Sequence, residues 1–277
     1  MSAINDVTRE RIKGYLESFI DRVIENNQRR KIQSFESSAS YLAKVASKPK
    51  LKPFHAAIIP PQIMAINEFE RSFSTTLGTT FEEAARLIAL DHHAEVHRSH
   101  EIWGEADQNA LKEIENQAAI FEHAARTDEE RASLDTMIAA VLSAHEDNDN
   151  TARSARSDLF IRTHTGLEYY FEIKSPVPNK DQCLSITSRI LRIHLLRRQS
   201  RPNVQAYFAM AYNPYGPTRA DYRWSVAKLY LPFEQATLVG QEFWEIVGGP
   251  TTYQELLDIY AEVGRDKSKH IFESLGL

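Results

Sequence analysis

The chain has 277 residues, 42% of them apolar and 26% charged, with ten glycines. That balance excludes collagen-like, low-complexity and wholly disordered chains and leaves enough apolar material for a sizeable core. Net charge is −5, which taken alone argues against a nucleic-acid partner. No apolar run reaches the roughly 18 residues of a membrane span, the first residues lack a secretory apolar core, and a single cysteine, Cys183, points to a reducing cytoplasm and no membrane partner.

In chain order, Leu16, Phe19, Ile20, Val23 and Ile24 recur at helical spacing after Thr8, a candidate N-cap. A lysine-rich connection from Lys44 to Lys52 closes with Pro53 and leads to Pro60-Pro61, where helix is not expected. Further helices are expected at about 62–75 and 81–100, and a pair over 107–145 ends in the polar run Glu146 to Thr151. Leu159-Phe160-Ile161 and Tyr169-Tyr170-Phe171 with Ile173 flank the turn Thr163-His164-Thr165-Gly166 and read as a β-hairpin. Asp181 to Arg198 is helical by the spacing of Leu184, Thr187, Ile190, Leu191 and Leu195. Strands follow at Val204–Tyr212 and about 224–231, then short helices near 237–247, 252–263 and 267–275. The expected fold is mixed α/β, in one domain over 1–277: a mainly helical half, 1–150, on an α/β core, 151–277.

The charge is unevenly placed. Residues 105–149 hold twelve acids against Lys112, Arg126 and Arg131, whereas 183–220 contain no acid and six arginines. That basic island stands at +6 in a chain whose remainder is −11, and it calls for an anionic partner.

A hairpin turning around Thr165 sets residues whose numbers total about 330 opposite each other, so Asp158 faces Glu172 on one side of the sheet. Lys174, two residues on, shares that side. Two carboxylates so close repel unless a cation lies between them, and their oxygens suit Mg²⁺. The Lys174 ammonium beside a metal-bound water would favour attack on a phosphodiester. The tripeptide Glu172-Ile173-Lys174 alone says little; the opposed acid and the adjacent arginine-rich helix give it weight.

Asp158 followed after thirteen residues by Glu172-Ile173-Lys174 resembles the PD-(D/E)xK nuclease superfamily, with Ser157 where the family's proline often stands. The longer string Ser157-Asp158-Leu159-Phe160 with Phe171 through Cys183, Asn213-Pro214-Tyr215-Gly216, Gly240 to Gly249 and Thr252 to Gly264 resembles type II restriction endonucleases of the TdeIII type. The likeness covers about 157–264 and is loose over the first 150 residues. It implies a restriction-endonuclease-like core with a mixed central sheet flanked by helices. It also implies Mg²⁺ held by Asp158, Glu172 and the carbonyl of Ile173, and water oriented by Lys174. A further acid from a preceding helix would be Glu82, equally explained as a first-turn helix acid, and Gln182 is placed to hydrogen-bond the site. The expected partner is double-stranded DNA, cut at a short specific site by a homodimer whose helical half supplies the dimer face.

Arg189 and Arg192 share a helix face with Ser185, and Arg197, Arg198 and Arg201 extend it; phosphate contact or guanine readout uses such geometry. Asn179 and Lys180 precede a helix N-terminus, a usual anion site, and Lys48, Lys50 and Lys52 are further candidates. His93, His97 and His100, beside His92 and Glu95, suggest either a zinc site or a polar helix face, the latter favoured for want of a partnering cysteine or acid. Cys183, Trp224, Phe243 and Trp244 read as core. Two other functions stay open: a structure-specific, repair or antiphage nuclease of the same fold, and a non-catalytic DNA-binding or helical interaction protein.

Overall fold

The structure, a computed structural model, describes residues 2–35, 61–127, 129–146 and 149–275. Lys48, Lys50 and Lys52 lie outside the described residues. Two compact units divide the chain: Met1–Asn5 with Phe81–Glu255, and Asp6–Thr80 with Leu256–Leu277.

The described residues of the second unit are helical. It holds α1 (Asp6–Phe35), the first part of α2 (Pro61–His92) and most of α9 (Thr252–Leu275). Leu16, Phe19, Ile20, Val23 and Ile24 are all buried, as their spacing requires, and Phe19 packs on Phe73 at 5.3 Å between ring centroids. Thr8 is buried inside α1 rather than capping it, because the helix begins two residues earlier at Asp6. Lys267 pairs with Asp21 at 2.8 Å, tying α9 to α1.

The first unit carries a five-stranded sheet in the order β1-β2-β3-β4-β5. Its strands are Glu95–Ala106, Thr151–Arg162, Glu168–Lys174, Val204–Met210 and Thr237–Val239. The first three are antiparallel neighbours; β4 and β5 continue parallel to β3. Between β1 and β2 run α3 (Gln108–Thr127) and α4 (Leu134–Ser143). Helix α5 (Lys180–Leu196) makes the crossover from β3 to β4, as a parallel pair demands. Short helices α6 (Ser225–Tyr230) and α7 (Phe233–Ala236) precede β5, and α8 (Gln241–Gly248) follows it. The expected mixed α/β architecture with a helical N-terminal region is what forms.

The hairpin turns where expected. Thr163 N donates to Leu167 O at 2.9 Å, Gly166 N donates to Thr163 O at 3.0 Å, and Gly166 takes φ +86°, a value glycine adopts without steric cost. Leu159 faces Phe171 and Phe160 faces Tyr170, the anticipated register. On α5, Cys183, Ile186, Ile190, Leu191 and Ile193 bury one face in a core shared with Phe160, Tyr170, Val204, Phe208 and Met210. Gly104 is required by this packing, since a Cβ there would stand 2.8 Å from the Leu196 carbonyl.

Five local expectations are corrected. The helix expected over 81–100 ends at His92, and 95–106 is strand because it pairs along its length with β2. The 62–75 and 81–92 segments join in one helix through Gly78. The segment 224–231 is helical at α6: Ala227 and Leu231 are buried while Leu229 between them is exposed, a helical rather than alternating pattern. Thr237–Val239 is strand, paired with β4, and 252–275 is a single helix.

Candidate active site

The site stands at the C-terminal end of β3, where β2, β3 and the start of α5 meet. Asp158 Oδ2 accepts a hydrogen bond from Ile173 N at 2.8 Å, locking the two strands together at the carboxylate. Lys174 Nζ lies 2.9 Å from Asp158 Oδ2 and 3.0 Å from Glu172 Oε1. Glu172 is buried, its side chain only 6% exposed, and its other oxygen accepts from Arg189 on α5. Burial alone would lower the Lys174 pKa, but hydrogen bonding and charge from Asp158 and then Glu172 outweigh it and hold it above the ordinary lysine value. Lys174 is therefore a fixed cation, a donor rather than a proton acceptor.

One oxygen of each carboxylate faces the Lys174 ammonium, so the two carboxylates lie within reach of each other. Two acidic oxygen donors so close fit a hard divalent cation. Among the described residues no group of three His, Cys, Asp or Glu side chains converges, so the two carboxylates are the acidic donors on offer. Glu82 is not brought to them by any contact: it pairs with Arg98 at 2.8 Å, beside Glu83.

An open cleft of about 320 Å³ adjoins the trio, lined by Glu172, Lys174, Asn179, Gln182, Ser185 and Arg189 among others. Its far wall is the start of α5, held by a capping box: Asn179 Oδ1 accepts from Gln182 N and Gln182 Oε1 from Asn179 N, each at 2.9 Å. Gln182 thus caps the helix that walls the site. The connection from β3 to α5 is clamped from afar, Tyr222 Oη donating to Pro176 O at 2.6 Å and Trp224 Nε1 to Pro178 O at 2.7 Å. Sequence reasoning missed both clamps, because 46 residues separate the partners.

The structure sorts the arginines. Arg197 makes a bidentate pair with buried Glu168, at 3.0 and 2.7 Å, in a network with Tyr170 and Arg162. Arg198 donates to the carbonyls of Glu105 and Leu195, and Arg219 grips Glu242 and stacks on Phe233. Lys180 pairs with Glu122 at 2.9 Å. Arg192 and Arg201 are exposed, with no side-chain ion pair or hydrogen bond among the described residues. So is Arg156, two residues before Asp158, which lines a crevice with Glu172 and Arg189 and lay outside the acid-free stretch that drew attention in the sequence.

Among the described residues the histidines form no metal cluster. His93 Nε2 donates toward the Ile246 carbonyl, and His97 and His100, on β1, stack over Phe160. The polar helix face expected there does not exist, since the segment is strand. Phe243 and Trp244 are fully buried, Trp224 packs against the core, and burial pushes the Cys183 thiol up to about 12, consistent with a core role. No helix of the described residues is long and apolar enough to cross a membrane.

Comparison with known proteins extends the resemblance well beyond 157–264. The family model described as type II restriction endonuclease, HinfI, matches residues 8–264. Three proteins of Herpetosiphon aurantiacus are similar over 99% of both chains: type II restriction enzymes HgiEI, 45% identical over 273 residues, HgiBI, 44% over 273, and HgiCII, 44% over 274. No solved structure gives a significant match. The helical N-terminal region, only loosely matched by the sequence motifs, is therefore part of the shared protein, and the family model that matches is HinfI. The chain belongs to the HinfI family of type II restriction endonucleases.

Proposed function

We propose that the enzyme hydrolyses both strands of duplex DNA at a short specific site, with Mg²⁺ held by Asp158, Glu172 and the Ile173 carbonyl. The observation that carries this reading is the Lys174 ammonium 2.9 and 3.0 Å from the two carboxylates. When bound, the metal would supply Lewis acidity and stabilise the charge that builds on oxygen during phosphodiester cleavage. Lys174, kept cationic by its partners, holds the attacking water by donating to its oxygen and faces the developing charge on the phosphate. Water attacks phosphorus in line and gives up a proton to solvent, a new P–O bond forms as the bond to the departing sugar oxygen breaks, and the leaving oxygen takes up a proton from solvent.

Ser185, Arg189, Arg192 and Arg201, with Asn179 and Lys180 at the helix start, are proposed to meet the DNA; Arg156 joins them on its exposure beside the trio. Arg197 and Arg198 support the fold through their own partners. Cutting both strands of a two-fold symmetric site calls for two active sites, so a homodimer is proposed, with the helical half as its contact. Digestion of a mapped plasmid with Mg²⁺, followed by end sequencing, tests the reading. Discrete ends at one sequence support it, whereas a smear favours a structure-specific nuclease. An Asp158→Ala variant cutting at the wild-type rate overturns the assignment of the site.

A further inference from the structure

Both oxygens of Glu172 are occupied by cations: Lys174 Nζ at 3.0 Å on Oε1, and the Arg189 guanidinium on Oε2. A divalent cation shared by Asp158 and Glu172 would add positive charge beside both of these cations, and their repulsion favours opening one of the two contacts. Lys174 bridges two carboxylates and would lose two ion pairs by leaving. Arg189 touches Glu172 alone among the carboxylates, reaches it from α5, and is 39% exposed at the mouth of the cleft lined by Ser185, Gln182 and Asn179. Its departure breaks one ion pair with a carboxylate rather than two. The local charge favours the same exchange. Asp158, Glu172, Lys174 and Arg189 sum to zero, which suits a buried carboxylate without metal. Adding a divalent cation leaves the group at +2, matched to an incoming phosphodiester, and the released guanidinium is a bidentate phosphate donor.

We propose that Arg189 is a positioning residue that exchanges partners: it neutralises Glu172 before the divalent cation arrives and passes to a DNA phosphate afterwards. This rests on the assignment of Asp158 and Glu172 as metal-binding residues, and its test separates the two. Mg²⁺ binding is measured by calorimetry without DNA for the wild type, Arg189→Gln, Arg189→Lys and Glu172→Gln. DNA binding is measured by fluorescence anisotropy on a short duplex carrying the mapped site, in EDTA and in Ca²⁺. Removing a competing cation should tighten Mg²⁺ binding by Arg189→Gln about tenfold, with Arg189→Lys near the wild type. The same variant should bind the duplex as the wild type does in EDTA and about tenfold more weakly in Ca²⁺. An Arg189 that merely supports Glu172 gives unchanged or weaker Mg²⁺ binding on replacement, and a constant phosphate contact weakens DNA binding equally in EDTA and Ca²⁺; either result overturns the exchange. Undiminished Mg²⁺ binding by Glu172→Gln overturns the metal assignment beneath it. Thermal melting in EDTA guards against misfolding: Arg189→Gln should melt below the wild type and recover most of the difference in Mg²⁺, whereas a variant that fails to recover speaks against the exchange.

Discussion

Residues of one type do different work here according to what faces them. Lys174 holds two carboxylates together, and replacing it by alanine should slow single-turnover cleavage about 10²–10³-fold, the usual loss of one preorganised donor; rapid-quench measurement on plasmid substrate checks this. Arg197 and Arg192, five residues apart on the chain, divide in function. Glu168 is only 5% exposed and its pKa is held below the ordinary glutamate value, Arg197 and Tyr170 overcoming the cost of burial. Arg197→Ala would remove the bidentate partner and leave Glu168 with Tyr170 and Arg162, which should cost about 2 kcal/mol of stability, seen as a lower urea midpoint, with DNA affinity nearly unchanged. The tripeptide Glu172-Ile173-Lys174 and its opposed Asp158 were legible because a tight hairpin makes register a matter of counting. The engagement of Arg197 was not, because its acceptor lies 29 residues away.

At the scale of the element, α5 both walls the site and closes the core. Its capping box satisfies end groups that the helix cannot, so Asn179→Ala should destabilise by about 1 kcal/mol while Asn179→Ser keeps most of the cap; urea denaturation of the two variants distinguishes these. The buried face of α5 contains His194, 5% exposed, whose pKa burial lowers from 6.5 to about 4, helped by the Arg201 charge. Because the folded value lies below the unfolded one, the unfolded chain binds the proton first. Stability is therefore lost as pH falls from about 6.5 to about 4, by roughly 3 kcal/mol at the acid end. Urea midpoints at pH 7 and pH 4.5 should diverge less for His194→Leu than for the wild type. The boundaries of α5 were readable from a strong 3.6-residue period. β1 was not, because its histidines and arginine mimic a helical face and only pairing with Thr151–Arg162 makes the segment extended.

For the whole molecule, a net charge of −5 coexists with a DNA-cleaving activity because surplus positive charge is local. Binding to the mapped duplex should weaken steeply with salt, with log K falling by about 0.9 per phosphate neutralised for each unit of log salt. Arg156→Ala and Arg192→Ala should each reduce that slope by about 1, and Arg197→Ala should leave it alone; anisotropy titrations over a range of NaCl concentrations test all three. By itself the sequence determined the hairpin that carries Asp158, Glu172 and Lys174, its register and the helix that follows, since each rests on neighbours within about 20 residues whose geometry is set by period and turn. Only the tertiary structure decided which arginines are already paired with acids or carbonyls, that Glu82 is paired with Arg98, and that β1 is a strand. Those outcomes depend on partners distant in the chain, and a cation's role follows from whether a buried carboxylate already claims it.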